Sequence, residues 1–224
     1  MKLVIFDFDG LILDTETPDY ESWQEVYAEF GVELPLSVWA DCIGAPAGLF
    51  DPVDFLERLL EETVDRTEIE ARRRLRFLNL VSEQPLRSGI ESLMADCADQ
   101  GVSMAVASSA TRDWVEGHLE RFDLRTRFDC IRCFESGLQG KPAPDLFHAV
   151  LCDLAIAPSE AIVLEDSPNG ILAANCAGIY SVAVPNPVTR LLNLDHARLV
   201  IDALEEWPLE RLRDHMNKGR LTEV

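Results

Sequence analysis

The stretch Leu3-Val4-Ile5-Phe6-Asp7-Phe8-Asp9-Gly10 decides the fold. Its first four residues are apolar without interruption, as in a strand buried on both faces at the centre of a parallel sheet. Two carboxylates follow, one residue apart. Side chains two positions apart in an extended chain lie on one side of it, so Asp7 and Asp9 face the same way. Gly10 allows a sharp exit or a close backbone approach to a ligand. Open α/β sheets bind ligands outside the carboxyl ends of their strands, which puts both aspartates at the mouth of a site.

Further along, residues 102–107, 161–164 and 181–184 are short apolar runs of the same kind. Helical patterns separate most of them. Ile90, Leu93, Met94 and Cys97 follow helical spacing until Gly101. Thr111 can cap a helix carrying Trp114, Val115, Leu119 and Phe122, and Ser167-Pro168 opens another that stops at Gly178. This βαβα succession predicts an α/β fold: a Rossmann-like parallel sheet with helices on both faces.

Residues 16–84 break the alternation, because they contain no strand pattern. Tyr20, Trp23, Tyr27 and Phe30 form one apolar stripe, Phe55, Leu56, Leu59 and Leu60 a second, and Ile69, Leu75 and Leu78 a third. About seventy residues are too many for a simple crossover. They are expected to form an inserted α-helical cap, with residues 1–15 and 85–224 forming the catalytic core. Within the cap, Arg72-Arg73-Arg74 and Arg76 form a basic cluster, read first as a solvated helix face balanced by Glu68 and Glu70. Gly44 and Gly48 mark a cap loop that approaches the site or simply turns.

Composition narrows the function. Forty acidic residues against twenty basic ones give a formal charge of −20. Such a chain repels nucleic-acid backbones and anionic membranes, so neither is an expected partner. No apolar run is long enough to cross a bilayer and no signal peptide precedes the first strand, which points to the cytoplasm. The six cysteines are scattered, and Cys130-Ile-Arg-Cys133 lacks the further ligands a zinc site needs. Reduced, structural cysteines are expected. A monomer or a weak homodimer is expected.

Three more segments place polar groups at strand ends or in the loops that follow. Ser108 and Ser109 follow the second apolar run. Lys141 lies in the proline-bracketed loop Gly140-Lys-Pro-Ala-Pro-Asp145. Glu165 and Asp166 follow the third run, with a helix start behind them. Singly, these are a helix cap, a solvated loop and a dipole-favoured helix entry. Jointly, they bring four carboxylates toward one small volume. Two charges about 4 Å apart repel by roughly 4 kcal/mol at an effective dielectric near 20. A divalent cation relieves that repulsion, and an all-oxygen ligand set suits Mg²⁺. An acidic Mg²⁺ site with Lys141 and Ser108 on its opposite rim is the prediction.

Asp7-Phe-Asp9-Gly10, Ser108, Lys141 within Gly-Lys-Pro-Ala-Pro-Asp, and Glu165-Asp166-Ser-x-x-Gly170 resemble the four motifs of the haloacid dehalogenase (HAD) superfamily. The insertion after the first motif is similar to the helical cap of its β-phosphoglucomutase-like and phosphoglycolate-phosphatase-like branch. The resemblance implies a phosphatase of a small phosphorylated metabolite, such as a sugar phosphate. Asp7 would be the nucleophile that forms an aspartyl-phosphate. Asp9 would protonate the leaving oxygen and then activate water. Ser108, the N–H of Ser109 and Lys141 would bind the phosphoryl group. Asp7, the carbonyl of Asp9, and Asp166 would hold the metal, with Glu165 as a further partner acting directly or through a water. His118, His148, His196 and His215 match no motif and are read as structural or surface residues.

The same residues serve a sugar-phosphate mutase, the alternative reading. The mutase branch has a histidine shortly after the first motif, where this chain has Asp19, which favours a phosphatase. A dehalogenase lacks the second aspartate of the first motif, and a phosphonatase needs a cap lysine that residues 16–84 do not contain. A phosphorelay receiver, the remote noncatalytic alternative, carries its aspartate on a middle strand of a chain about half as long.

Overall fold

Valine, isoleucine and phenylalanine in succession favour an extended chain, and here that chain is covered on both faces. In a computed structural model, which describes residues 1–43, 50–135 and 137–221, β1 (Leu3–Phe6) has no exposed residue. It is joined by β2 (Ser103–Ala107), β3 (Cys130–Arg132), β4 (Ala161–Glu165), β5 (Tyr180–Ala183) and β6 (Leu199–Val200). Every pairing is parallel, in the order β3-β2-β1-β4-β5-β6. β1 thus lies inside the sheet, with Leu3 opposite both Ser103 and Ala161.

The helices are α1 (Glu16–Glu29), α2 (Leu36–Ile43), α3 (Pro52–Leu60), α4 (Arg66–Glu83), α5 (Ile90–Asp99), α6 (Arg112–Arg121), α7 (Asp145–Leu154), α8 (Pro168–Cys176) and α9 (Leu209–Leu221). The chain divides into two compact units: 1–13 with 86–185 and 193–224, and 14–85 with 186–192.

In the α/β unit, Leu3, Ile5, Ala105 and Val163 pack with Phe147 and Val150 of α7 and with Ala173 and Ala174 of α8. Small residues on α8 let the helix lie close to the sheet. Proline at its first position and the Ser167 hydroxyl, which accepts from the Gly170 N–H at 3.1 Å, fix where it begins. α5 spans the predicted stretch before Gly101. β3, β6, α2, α7 and α9 carry no clear period in the sequence. The pair Cys130 and Cys133 marks an edge strand and its end. Cys97, Cys130, Cys133, Cys152 and Cys176 are free thiols, and burial pushes those of Cys130 and Cys133 up to about 11.

The helical unit is built around Tyr20, Trp23, Tyr27, Trp39, Leu56 and Ile69. α1 begins before Thr17: the Asp14 carboxylate accepts from the Thr17 N–H at 3.0 Å and from its hydroxyl at 2.8 Å. On α4 the buried residues are Ile69, Phe77 and Val81, whereas Leu75 is 63% exposed and Leu78 38%. The third stripe was expected to include those leucines; Phe77 supplies the larger apolar surface and rotates them outward. Val188 joins the same cluster. Residues 186–192, expected in the core, therefore pack with the helical unit.

In the basic cluster, Arg72, Arg73 and Arg76 pair with carboxylates, and Arg74 lies over the Phe77 ring. Arg72 meets Glu29 at 2.8 Å and Glu68 at 3.7 Å, Arg76 meets Glu25, and Arg73 binds Asp19 while lying over Trp23. Exposed pairs such as the first two contribute about 0–1 kcal/mol each. Glu70 pairs with Arg66 instead. Gly44 and Gly48 lie outside the described residues. No helix among the described residues is long and apolar enough to cross a membrane.

Candidate active site

Three parallel strands end side by side, and the residues that follow them share one edge. Asp7 continues β1, its N–H donating to the Leu164 carbonyl at 3.0 Å. Ser108 continues β2, its N–H donating to the Arg132 carbonyl at 2.9 Å. Glu165 ends β4 and Asp166 follows. Parallel register makes this alignment unavoidable: Phe6 is level with Val106 and with Leu164.

Lys141 enters from the loop between β3 and α7. Its buried ammonium donates to Asp7 Oδ1, to Glu165 Oε1 and, at 2.8 Å, to the Ala107 carbonyl. All three donor positions of the amine are thereby used. The loop is held by Ser109, whose hydroxyl accepts from the Lys141 N–H at 3.0 Å. Ser109 thus also acts through its side chain, by placing Lys141.

The electrostatics follow from burial. Carboxylate oxygens of Asp7, Glu165 and Asp166 lie within 4.8 Å of one another, and all three residues are buried. Burial raises the Asp7 carboxyl above the ordinary range, against the opposing charge of Lys141. Burial and then the Asp7 charge push Glu165 up to about 7, with Lys141 again opposing. Burial alone would lower Lys141, but the two carboxylates outweigh it and hold the ammonium above its usual range. One ammonium among three carboxylates leaves a negative excess, and a divalent cation fits such an all-oxygen set.

Glu165 is the most confined of the three. Lys141 engages one oxygen, and the Ser167 hydroxyl donates to the other at 3.2 Å. Gly170 lies directly against the carboxylate: a Cβ there would fall 2.0 Å from Glu165 Cδ. With both oxygens held, the carboxylate has nowhere to go. Gly170→Ala is therefore expected to destabilise the fold by about 1–3 kcal/mol through overpacking. Urea denaturation measures it, and an unchanged midpoint would show that Glu165 can move.

Asp9 lies past the strand end, half-buried, in a turn closed by the Gly10 N–H donating to the Leu13 carbonyl at 2.8 Å. Gly10 has a φ of 78°, the left-handed conformation that glycine tolerates best. Ser108 Oγ lies 3.4 Å from Asp9 Oδ2 and accepts from the Ala110 N–H at 3.0 Å. Asp7, Asp9, Ser108, Lys141, Glu165 and Asp166 are thus brought to one sheet edge, with Ser109 behind Lys141.

Two further residues were not legible as site components. Trp114, read as part of an apolar stripe, donates its indole N–H to Asp9 Oδ1 at 2.8 Å. Arg87 donates to the Gly10 carbonyl, to that of Val184 at 3.0 Å and to that of Pro185 at 2.9 Å. It ties the loop after β1 to the chain leaving β5. Of the histidines, His118 stacks on Phe8, and His215 meets the Tyr180 hydroxyl at 2.8 Å.

Residues 4–184 match the family described as haloacid dehalogenase-like hydrolase. "Putative phosphatase YhcW" of Bacillus subtilis (strain 168) is 39% identical over 217 residues, spanning 97% of this chain and 98% of the relative. Hexitol phosphatase B of Escherichia coli (strain K12) is 31% identical over 185 residues, spanning 82% of this chain and 83% of the relative. The crystal structure of CbbY from Rhodobacter sphaeroides in complex with phosphate superposes with a TM-score of 0.72 at 26% identity, over 95% of this chain and 99% of that one.

Proposed function

The chain belongs to the haloacid dehalogenase-like hydrolases and is a phosphomonoester hydrolase of that family, and on this premise we propose that it hydrolyses a small phosphomonoester of the sugar-phosphate class through a phosphoryl group carried on Asp7, with Mg²⁺ as cofactor. The observation that carries the proposal is the buried Asp7 carboxylate at the end of the central strand, touching Lys141 and adjoining Glu165 and Asp166.

An oxygen of Asp7 attacks phosphorus as the ester P–O bond breaks, and Asp9 gives a proton to the departing alkoxide. Water then displaces Asp7 from phosphorus and yields its proton to Asp9. Inorganic phosphate leaves, and Asp7 is a carboxylate again. Like charges repel when a carboxylate nears a phosphate, so the Lys141 ammonium offsets the charge at the point of attack. Ser108 Oγ and the N–H of Ser109 bind the transferring group. Asp7, Asp166 and the Asp9 carbonyl would hold Mg²⁺, with Glu165 directly or through a water. When bound, the ion draws charge from the phosphoryl oxygens.

The name of the hexitol phosphatase relative supports a sugar or polyol phosphate as substrate. Asp19, at the position where the resemblance places the mutase branch's histidine, supports hydrolysis over mutase chemistry; its carboxylate is paired with Arg73.

Chelation by EDTA is expected to lower p-nitrophenyl phosphate turnover by about 100-fold or more, with recovery on adding Mg²⁺. A full rate in EDTA would remove the metal from the proposal. A panel of sorbitol 6-phosphate, glucose 6-phosphate, ribose 5-phosphate and 2-phosphoglycolate, ranked by kcat/KM, identifies the ester class. Conversion of β-glucose 1-phosphate to glucose 6-phosphate without phosphate release would mark a mutase instead.

A further inference from the structure

Trp114 is in the first turn of α6, and its indole N–H points at the carboxylate that the proposed mechanism uses for proton transfer. The N–H donates to Asp9 Oδ1 at 2.8 Å, while Ser108 Oγ stands 3.4 Å from Oδ2. The indole is itself braced. His118 meets its ring edge-on, with centroids 4.4 Å apart, and stacks on Phe8 at 6.0 Å. Phe8 lies between the two aspartates in sequence, so this chain of rings begins and ends on the first motif.

An indole N–H donates and never accepts. It can neither take the proton from Asp9 nor relay it; it can only hold one oxygen. We propose that Trp114 is a positioning residue: it fixes Asp9 Oδ1 and leaves Oδ2, the oxygen beside Ser108, to pass the proton to the leaving group and take one from water. This rests on the reading of Asp9 as the acid and base. The geometric reason is that general acid catalysis needs the carboxyl within about 2.6–3.2 Å of its target. Asp9 stands three residues past the end of β1, and a carboxylate there turns about two bonds unless its oxygens are held.

The test separates positioning from folding by comparing two leaving groups. p-Nitrophenolate departs without a proton, whereas an alkoxide needs one. The kcat/KM covers the steps through the first irreversible one, so its ratio between alkyl and p-nitrophenyl esters reports proton delivery to the leaving group. The alkyl ester is the best substrate of the panel above. Asp9→Asn is expected to lower the ratio by about 100-fold or more, and Trp114→Phe by about tenfold. Trp114→His, which retains a ring N–H, should recover part of that loss. A ratio unchanged in Trp114→Phe but lowered in Asp9→Asn overturns the role of Trp114 and leaves that of Asp9. A ratio unchanged in both overturns the acid assignment itself.

Should Trp114→Phe fail to fold, the indole proton resonance decides. It is assigned with Trp23→Phe, Trp39→Phe and Trp207→Phe. It must move upfield in Asp9→Asn, where the charged acceptor is gone, and an unmoved resonance overturns the proposal.

Discussion

Asp7→Asn is expected to leave a folded protein whose phosphatase turnover is lower by about four orders of magnitude or more, as when a covalent nucleophile is removed. The amide has nearly the shape of the carboxylate but lacks its anionic attacking oxygen. Folding should not suffer. Burial already disfavours the charge on Asp7, and Lys141 keeps Glu165 as a partner once that charge is gone. Turnover of p-nitrophenyl phosphate and a thermal melt test both halves. A residual rate within tenfold of the parent enzyme would show that Asp7 is not the nucleophile.

Lys141→Met should damage stability as well as rate. It leaves the Asp7 and Glu165 carboxylates buried side by side with no ammonium between them. Breaking a buried ion pair from one side costs about 3–5 kcal/mol, against a total of about 5–15 kcal/mol for a typical domain. The pH dependence has a definite sign. Glu165 holds its proton more tightly folded than unfolded, so the stability it contributes is complete below its ordinary value of 4.5 and is lost as pH rises through about 7. Without Lys141 that loss grows, so the deficit relative to the parent should be larger at pH 8 than at pH 5. Urea unfolding in EDTA at the two values measures it. Adding Glu165→Gln should restore part of the stability at pH 8; a double variant no more stable than Lys141→Met would place the strain elsewhere.

Much of the sheet was legible because its inner strands are made of short, almost wholly apolar runs bounded by turn and helix signals. The residues of β1, β2, β4 and β5 are nearly all buried, and nothing competes with that reading. β3 and β6 have only three and two residues. At that length no period exists to be read, and pairing with a neighbouring strand makes the element. The outward turn of Leu75 and Leu78 has a similar origin, since α4 offers two apolar stripes and only packing chooses between them.

In the candidate site, the sequence identifies the groups and the fold sets their relations. Lys141 stands alone in its loop, and the acidic pairs follow apolar runs, so both could be named in advance. That Gly170 makes room for Glu165, or that Trp114 aims its N–H at Asp9, depends on helix orientation. Residue spacing carries no such information. The grouping of residues 186–192 with the helical unit is another long-range fact of this kind.

The central position of β1 has a consequence for how the molecule assembles. Both neighbours of Leu3–Phe6 come from far downstream, since β2 and β4 begin at Ser103 and Ala161. Closing such long loops is slow, and folding rates fall as contacts become less local. A nascent chain must therefore shelter a sticky tetrapeptide until most of the polypeptide has been made. The protein becomes an enzyme only at the end of that wait, because the strand that carries Asp7 is also the one that everything else must find.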